Sequence, residues 1–546
     1  MARMRLRSRP PRRPGADWVQ PRGTGHWTTV GNLDSPTRAS VDPAGLVAVA
    51  GRSWSLDWWI GAEDRWHVPA REVAVRQGLL GASPVVETRV RVPSGDAVQR
   101  VYAARGPAGE DALVVEVHND TKVPFALALA VRPYGLDGGG QVDTVELDGT
   151  TVRIDGAAAV VLPRSPGRIA LSTAAAGDAA AAVFSGQAEA VRTAAVRCPD
   201  GLAHAALLFP LAHAATLRVV LPLSPGSSVD PGLLPSAGQV ASGWGVQSRR
   251  GARFEVPNRS LRDAISASTR FLLLGSADLS VAAALDLLGF ADEAAAALLV
   301  DPHRRVRTDR PGLALHAFGW HWSLTRDVDA AEAAAPLVGA LVRALARSSD
   351  SDDVALGRSA LPRVADLLDG AGERLGASDV RAIAGPEPPR ETSRGRDIED
   401  LLAAASPTWT WPNGLAGHDL AMNAALVTAV RCMLAEEGDG GLALSPVVPE
   451  AWLGQGWEVH DAPTAFGRLS YAVRWHGERP ALLWELEAHP GQPPVRLTAP
   501  GLDPNWSTTD ARGEALLAQV VVPTRLPRRR GLTIPVTIEP VPRRPR

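Results

Sequence analysis

Cysteine and lysine are the scarcest informative residues of this 546-residue chain. Its two cysteines, Cys198 and Cys432, exclude a multi-disulfide framework and any metal site built on four thiolates. Lys122 is the only lysine and lies in the string DTKV, which excludes a P-loop because that motif needs Gly-Lys followed by Ser or Thr. The motifs G-x-S-x-G, H-E-x-x-H and G-x-G-x-x-G are also absent, which argues against ordinary esterases, zinc proteases and dinucleotide-binding enzymes.

Long apolar runs and a strong net charge are missing as well. No segment reaches the roughly 18–20 uncharged apolar residues that a membrane helix needs. The formal net charge of −2 provides no basic field to attract nucleic acid or an anionic membrane, so neither is an expected partner. Residues 1–15 interleave Arg and Pro without the apolar stretch of a secretory signal, and we therefore expect a cytoplasmic protein.

The length of the chain predicts two or three domains, because one hydrophobic core rarely serves so many residues. After a basic Arg/Pro-rich tail at residues 1–27, residues 28–248 carry short Val-rich runs between turn residues, which predict an antiparallel β-sandwich. One of its predicted strands covers Ala182–Phe184. Residues 258–436 are rich in Ala and Leu at helical spacing and predict a helical domain whose last helix covers Ala421–Glu436. Strand patterns return at residues 440–540 and predict a small β domain.

Four local strings lie in the second half of this β, α, β order. They are Ala284–Ala294 (ALDLLGFADEA), Gly312–Asp327 (GLALHAFGWHWSLTRD), Thr410–Asp419, which begins TWPNG and ends GHD, and Pro446–Leu453 (PVVPEAWL). Together with the domain order, they resemble bacterial glycoside hydrolases that carry a six-hairpin, (α/α)6 helical toroid, especially the glycogen-debranching-like proteins. Gly312–Asp327 is the most specific string, since it is similar to the toroid helix that ends in Leu-Thr-Gly-Asp.

The resemblance implies a multidomain α and β fold with an N-terminal antiparallel β-sandwich, a central (α/α)6-type helical toroid and a small C-terminal β domain. A toroid of twelve helices normally needs upward of about 300 residues, whereas residues 258–436 have room for about seven or eight helices. The toroid is therefore expected to be shortened. Whether it closes is undecided at this point, and an open one would expose an apolar face suited to a homodimer.

Hydrolysis of a glycosidic bond generally needs one carboxylic acid to protonate the leaving oxygen and a second carboxylate to activate water or attack. The candidate catalytic residues are Asp278, Asp309, Asp419 and Glu450. Each has an alternative interpretation. Asp278 and Asp419 stand at predicted helix starts, where Asp is a good N-cap, Asp309 lies in a predicted turn, and Glu450 lies in a loop where packing or solvent exposure would also suit it.

Tryptophan is abundant, with 16 Trp against 8 Phe and 3 Tyr, and flat indole faces are good platforms for sugar rings. The candidate substrate-binding residues are Trp320, His321, Trp322, Trp409, Trp411, Asn413 and His418. The alternative interpretation is core packing, which we also expect for four tryptophans between the sandwich and the helices, namely Trp54, Trp58, Trp59 and Trp66. No metal site or cofactor is predicted, since His316 and His321 are five residues apart and miss the i, i+4 spacing of two ligands on one helix face.

Two hypotheses follow. In the first, the chain is an intracellular glycoside hydrolase that acts on an α-glucan or oligosaccharide by carboxylate acid/base catalysis, so carbohydrate is its partner. In the second, it is a catalytically degenerate relative that serves as a carbohydrate-binding or assembly subunit. Two carboxylates that converge on a Trp-lined cleft would favour the first, and a Trp-lined cleft without a second acid would favour the second.

Overall fold

The computed structural model describes residues 26–136, 138–224, 229–275, 278–300, 308–384, 398–413, 417–438 and 441–518. In these ranges a strand-rich region is followed by a helical region and then by a second strand-rich region, so the predicted order is confirmed. Most of the predicted basic tail and the end of the predicted C-terminal β domain, from residue 519, lie outside the described residues. None of the helices in the described ranges is long and apolar enough to cross a membrane.

The first N-terminal sheet has eight strands. They are β1 (Thr28–Val30), β2 (Ala39–Val41), β3 (Val47–Val49), β4 (Ser55–Gly61), β5 (Trp66–His67), β10 (Phe125–Arg132), β16 (Arg168–Ser172) and β18 (His204–Leu211). Their spatial order is β1-β2-β3-β4-β10-β18-β16, with β5 paired to β4. A two-stranded ribbon, β11 (Tyr134–Gly135) with β12 (Gly138–Gly139), stands apart from this sheet.

The second N-terminal sheet has nine strands, all joined by antiparallel pairs. They are β6 (Val75–Leu79), β7 (Val85–Val92), β8 (Gly95–Arg105), β9 (Asp111–Thr121), β13 (Thr144–Asp148), β14 (Thr151–Ile154), β15 (Ala157–Val161), β17 (Thr193–Arg197) and β19 (Thr216–Pro222). Their order is β17-β13-β14-β15-β19-β9-β8-β7-β6, which leaves β6 at one edge. Short 3-10 turns cover Pro69–Arg71 and Leu80–Ala82 beside β6.

A shared apolar core lies between the two N-terminal sheets. Leu113, Val115 and Val117 of β9 belong to this core, whereas Val114 points to the other face and packs in a separate cluster with residues of a later helix. Successive residues of a strand point to opposite faces, so β9 reads as a continuous apolar run because both of its faces are covered. The two sheets therefore form a sandwich.

The segment predicted as a strand at Ala182–Phe184 is helical, and that prediction is wrong. Helix α1 covers Ala179–Phe184 and begins after Asp178, whose side chain accepts a hydrogen bond from the backbone N–H of Ala180. An N-cap of this kind stabilises the first helical turn, which a three-residue apolar pattern does not reveal. Phe184 contacts the rings of Trp59 and Trp66 at centroid distances of 5.7 and 5.8 Å. Trp59 and Trp66 therefore lie beneath α1, and Trp54 and Trp58 belong to the core between the two sheets, so the prediction that these four lie between the sandwich and the helical region is wrong.

Ten further helices follow in the described part of the chain. They are α2 (Ala237–Ser248), α3 (Arg259–Leu273), α4 (Leu279–Leu287), α5 (Ala291–Leu299), α6 (Pro311–Thr325), α7 (Val328–Leu345), α8 (Ser351–Gly370), α9 (Arg374–Ala384), α10 (Ile398–Ala404) and α11 (Leu420–Leu434). Nine of them lie within residues 258–436, so the expectation of seven or eight was too low. The helices α9 and α10 account for the difference, and α10, with only seven residues, is too short to give a clear helical periodicity.

The helices pack in an arc. Helix α11 contacts α3 and α4, α4 contacts α6, α6 contacts α8 and α8 contacts α9. Among the described residues, no extensive contact joins α9 back to α10 or α11. Helix α6 is buried almost all round, as expected for a helix that is apolar on every face, and it forms the centre of the arc.

Two sheets make up the C-terminal strand-rich region. The five-stranded sheet has the order β20 (Arg253–Glu255), β25 (Trp457–Thr464), β26 (Gly467–His476), β27 (Arg479–Ala488) and β30 (Arg512–Leu516). The four-stranded sheet has the order β23 (Ala435–Gly438), β24 (Gly441–Leu444), β28 (Arg496–Ala499) and β29 (Asp503–Thr508). A small ribbon, β21 (Pro412–Asn413) with β22 (Gly417–His418), precedes α11, and a 3-10 turn covers Glu450–Trp452.

The helical and C-terminal regions share one core, to which Phe271 of α3, Leu434 of α11 and Trp457 of β25 all belong. The last helix is shorter than predicted, because Ala435 has an extended backbone and starts β23. The sequence does not show where the helix ends, because Ala435 and Glu436 are themselves good helix formers. Tertiary pairing with β24 decides their conformation.

Candidate functional site

A buried carboxylate and imidazole meet in the middle of the helical arc. Asp286 is on α4 and His321 on α6, and His321 Nδ1 lies 2.7 Å from Asp286 Oδ1, so the ring nitrogen donates to the carboxylate. Only 1% of the Asp286 side chain and 4% of the His321 side chain are exposed. Two titratable groups rarely become this buried unless they are paired, so the hydrogen bond is a condition of their burial.

Polar atoms around this pair lack protein partners. Asp286 Oδ2, His321 Nε2 and the indole Nε1 of Trp322 are all buried and none of them makes a hydrogen bond within the described structure. A further carboxylate close to the pair is that of Asp327, whose Oδ2 lies 4.0 Å from His321 Nε2 and whose side chain is 33% exposed. Unsatisfied buried groups are uncommon in proteins, and His321 and Trp322 line one cavity, which indicates a position there for water or another polar group.

The space at this position is small. A cavity of about 10 Å³ is lined by His321, Trp322 and Asp327 together with apolar residues of α5 to α8. That volume holds about one water molecule and is far below the 300–1,000 Å³ of typical ligand sites. Asp286 and His321 are therefore enclosed, and in the described structure a sugar ring has no room beside them.

Burial raises the pKa of Asp286, and the hydrogen bond and charge of His321 partly offset that increase. The imidazole of His321 lies between the buried Asp286 carboxylate, at 2.7 Å, and the partly exposed Asp327 carboxylate, at 4.0 Å. Asp327 also caps α7 by accepting a hydrogen bond from the backbone N–H of Ala330 at 3.0 Å. The cluster can thus serve acid/base chemistry on a water-sized molecule, and it also ties three helices together.

The four predicted catalytic carboxylates lie at the surface or at helix starts. Asp278 Oδ1 accepts hydrogen bonds from the backbone N–H of Ser280 at 2.7 Å and from its hydroxyl at 2.6 Å. Asp419 Oδ1 accepts the backbone N–H of Ala421 at 3.0 Å. Asp309 is exposed just before α6, and Glu450 is exposed in the 3-10 turn Glu450–Trp452.

The four predicted aromatic residues differ in exposure. Trp411 is buried in the core, with its indole N–H donating to the carbonyl of Leu401 at 3.2 Å, and Trp322 is 9% exposed beside His321. Trp320 and Trp409 are half-buried, and the guanidinium of Arg363 lies over the Trp320 ring, 4.4 Å from its centroid. Trp320 and Trp409 are therefore the two of the four that retain partly accessible surface.

The predicted polar residue His418 forms a second cluster at the start of α11. Its Nε2 donates to Asn423 Oδ1 at 2.7 Å, and the Asn423 amide nitrogen donates to Ser268 Oγ at 2.9 Å. Burial lowers the pKa of His418 to about 4, although the bond to Asn423 acts in the opposite direction, so the ring is neutral at pH 7. The ring packs edge-on against Phe271, while the predicted residue Asn413 is exposed in β21. The structure brings His418 together with Trp409 through Asn423, which also donates to the Trp409 carbonyl at 3.2 Å.

Sequence reasoning missed Asp286, although a signal was available. In α4 this residue stands in the run LSVAAALDL, where an acidic side chain among apolar residues predicts a buried and paired carboxylate. Its partner, 35 positions later, could not be identified from spacing. Within the described ranges, no group of three or more His, Cys, Asp or Glu side chains is close enough to hold a metal ion.

Comparisons with known proteins give weak similarities. No protein family model matches the chain, and no curated protein matches it. A solved structure from the human microbiome, described as a kojibiose phosphorylase, matches with a TM-score of 0.44 at 8% identity over 90% of this chain and 95% of that one. The family GH92 α-mannosidase of Bacteroides thetaiotaomicron matches with a TM-score of 0.31 at 9% identity over 66% of this chain and 62% of that one. These scores and identities are too low for an argument about fold or activity.

Proposed function

We propose that this chain is a carbohydrate-binding or assembly protein on a glycoside hydrolase-like scaffold, and that it binds sugar without cleaving it. The observation that carries the proposal is the state of the carboxylates. Asp278 and Asp419 are engaged as helix caps, and Asp286 is buried against His321, which itself lines only a water-sized cavity. Hydrolysis needs two carboxyl groups on either side of a sugar bond, at roughly 5–9.5 Å from each other.

The choice of carbohydrate as ligand rests on the sequence. The four strings that resemble glycogen-debranching-like proteins and the abundance of tryptophan both favour it. Two of the predicted platform residues, Trp320 and Trp409, keep part of their surface accessible. A partly exposed indole can bind a sugar ring without a catalytic acid. A chain that no longer cleaves sugar would therefore still be able to bind it.

The test is to measure binding and cleavage on the same purified chain. Binding is measured by isothermal titration with maltoheptaose and by retardation in native gels that contain glycogen. Cleavage is measured as reducing ends released over hours between pH 4 and 8. Binding without release at any pH is the expected result.

Two outcomes would overturn the proposal. The first is the absence of any retardation or heat of binding with these glycans. The second is release that disappears in Asp278→Asn or Asp419→Asn but persists in the control Asp263→Asn, a carboxylate of α3 whose side chain is 51% exposed. The second outcome would establish the hydrolase and identify its acid.

Hydrolysis is a second candidate because of the unpartnered polar atoms of Asp286, His321 and Trp322, and it requires the helices around the cavity to open, since a sugar ring has no room beside the pair in the described structure. A water molecule in the adjacent cavity would face His321 Nε2 and Asp327, and activation of that water would be general base chemistry. If this candidate is correct, Asp286→Asn and Asp327→Asn each reduce the release of reducing ends by at least about 100-fold, the usual scale of acid/base catalysis. Unchanged release in both variants would eliminate it.

A further inference from the structure

Helix α1 covers part of the outer face of the eight-stranded sheet. Its buried residues Ala179, Ala180 and Val183 pack with Trp59 of β4 in an apolar cluster that is separate from the core between the two sheets. Most of the other buried members of this cluster are alanines. Apolar burial stabilises in proportion to the area removed from water, and alanine contributes little area, so this outer layer is held more weakly than the core.

A glycine stands on each side of α1. Gly177 precedes the N-cap residue Asp178, and Gly186 follows the C-cap residue Ser185. Both glycines have left-handed backbones, with φ of +99° and +75°, and a Cβ atom on either would meet no heavy atom within 4 Å. Their backbone conformation, and not close packing, therefore favours glycine. Residues 177–186, which we call the cover, thus have at each end a residue that can absorb the dihedral change of a moving segment.

The cover is attached to the sheet through its first turn. Arg132 of β10 donates to both oxygens of the Asp178 carboxylate, at 2.6 and 2.7 Å, and both side chains are 3% exposed. The backbone N–H of Ala179 donates to His204 Nε2 of β18 at 3.0 Å. The other ring nitrogen, Nδ1, lies 3.1 Å from the carbonyl oxygen of Leu202, to which it donates. An imidazole that accepts on one nitrogen and donates on the other is neutral.

Protonation of His204 removes part of this attachment. A proton on Nε2 turns the acceptor into a donor, so the backbone N–H of Ala179 loses its partner and a positive charge arises on a fully buried side chain. Burial lowers the pKa of His204 and the guanidinium of Arg132 lowers it further, whereas two backbone carbonyls and the Asp178 carboxylate act in the opposite direction. Acid therefore favours a state in which His204 is released to water.

Other charged groups beside the cover respond differently to acid. Asp57 of β4 accepts the indole N–H of Trp59 at 2.9 Å, and burial raises the pKa of Asp57. A carboxyl group with a raised pKa favours the folded state as the pH falls, so any release of Asp57 on opening acts against the effect of His204. Arg168 of β16 donates to the carbonyl of Ala188 at 2.9 Å, and arginine remains charged at all pH values at which proteins are studied.

We propose that the cover is an acid-sensitive lid, which below about pH 6.5 moves away from the sheet at Gly177 and Gly186 and uncovers Trp59, while the sheet itself stays folded. The upper limit is the ordinary pKa of histidine, about 6.5, because only below it does the released imidazole take up a proton. The contribution of neutral His204 to closure is fully present above that pH and is lost as the pH falls. Phe184, which packs on Trp59, leaves with the cover.

Hydrogen–deuterium exchange read by mass spectrometry tests this lid on the full chain between pH 7.5 and 5.5. Peptides that span the cover report its opening, peptides of β10 report the sheet, and each rate is divided by the intrinsic rate at that pH. One proton is taken up per opening, so protection of the wild-type cover should fall at least about threefold and at most about tenfold, while that of β10 stays constant. In His204→Gln the side-chain oxygen can accept the Ala179 N–H but cannot ionise, and we expect no fall.

Two further variants serve as controls. His67→Gln also replaces a buried histidine, with 4% of its side chain exposed, but the hydrogen-bond partners of His67 are Asp64 and Glu72, outside the cover, so the fall should persist. Phe184→Ala removes an apolar contact and no ionisable group, so it should lower protection of the cover equally at every pH.

Three outcomes would overturn the proposal. They are constant protection of the wild-type cover over this pH range, an equal fall in His204→Gln, and a parallel fall in β10, which would show acid unfolding of the whole sandwich. The comparison of the cover with β10 in the wild type needs no variant, so it decides the matter even if His204→Gln does not fold.

Discussion

Asp42 is a buried carboxyl group whose pKa differs strongly from its ordinary value. It is fully buried at the end of β2, and its Oδ1 accepts hydrogen bonds from the backbone N–H groups of Ala44 and Leu46 at 2.8 Å each. Its Oδ2 has no hydrogen-bond partner. Burial raises the pKa of Asp42 to about 7, with a further increase from the nearby Asp57, although the backbone bonds oppose it.

This raised pKa predicts a pH-dependent stability. Between the ordinary pKa of 3.8 and the folded value of about 7, the folded chain holds a proton that the unfolded chain has released. The contribution of Asp42 is therefore fully present below about pH 4 and is lost as the pH rises towards 7, with a slope of up to about 1.4 kcal/mol per pH unit. We expect Asp42→Asn, which keeps the Oδ1 acceptor but cannot ionise, to lack this loss.

The measurement is urea unfolding of both proteins at several pH values from 4.5 to 8. The difference in free energy of unfolding should move in favour of Asp42→Asn as the pH rises. The exposed Asp148→Asn on β13 is the control and should follow the wild type. A difference between wild type and Asp42→Asn that stays constant across this range would show that Asp42 does not titrate there.

At the scale of elements, the contact between α6 and α8 depends on glycine. The Asp353 side chain of α8 accepts the backbone N–H groups of Gly312 and Leu313 at 2.8 and 2.9 Å, and so caps the first turn of α6 from another helix. A Cβ atom on Gly312 would lie 1.8 Å from the Asp353 carbonyl oxygen. A Cβ atom on Gly357 would lie 2.8 Å from the Gly312 Cα. The two helices can approach this closely only where neither has a side chain.

We predict that Gly312→Ala destabilises the chain by about 2 kcal/mol or more, since the clash is with backbone and the helices must separate. Gly339→Ala is the matched control, because this exposed glycine lies inside α7 and its nearest neighbour would be an Arg343 side-chain atom at 3.5 Å. There the higher helix propensity of alanine should stabilise by up to about 1 kcal/mol. Thermal and urea unfolding measure both changes, and equal effects of the two substitutions would contradict the close-packing argument.

At the scale of the whole molecule, buried hydroxyls join the N-terminal sheet to the helical region. Thr28 Oγ1 of β1 lies 2.7 Å from Thr408 Oγ1, and Ser406 Oγ bonds to both Thr408 and Thr410 at 2.8 Å. All four side chains are buried. Residues about 380 positions apart therefore share one hydrogen-bond network, which couples the sandwich to the segment before α11.

A double-mutant cycle tests this coupling. Thr408→Val should destabilise the chain by about 1–3 kcal/mol, because it leaves the buried Thr28 hydroxyl without its partner, whereas Thr28→Val should cost less, because the Thr408 hydroxyl keeps its contact with Ser406 Oγ. The double variant should lose about 0.5–1.5 kcal/mol less than the sum of the two, since both hydroxyls are then gone. Thr29→Val, on the alternate face of β1, is the control. Strictly additive losses in urea unfolding would mean that the two hydroxyls do not interact.

The sequence by itself predicted the features that depend on residues close together in the chain. The order of strand-rich, helical and strand-rich regions follows from composition and periodicity, and the capping capacity of Asp278 and Asp419 follows from Asp at a helix start. The same local rules failed at Ala182–Phe184, where a cap outweighed an apolar pattern, and at Ala435, where pairing with β24 outweighed helix propensity.

Only the tertiary structure decided what lies far apart in the chain. The hydrogen bond between Asp286 and His321 and the contact of Gly312 with Asp353 both join residues on separate elements. Periodicity assigns a residue to a face, but it does not state which other face will cover it or how much space is left between them. The candidate carboxylates could therefore be chosen from the sequence by type, whereas their burial and partners depended on how the sheets and helices pack.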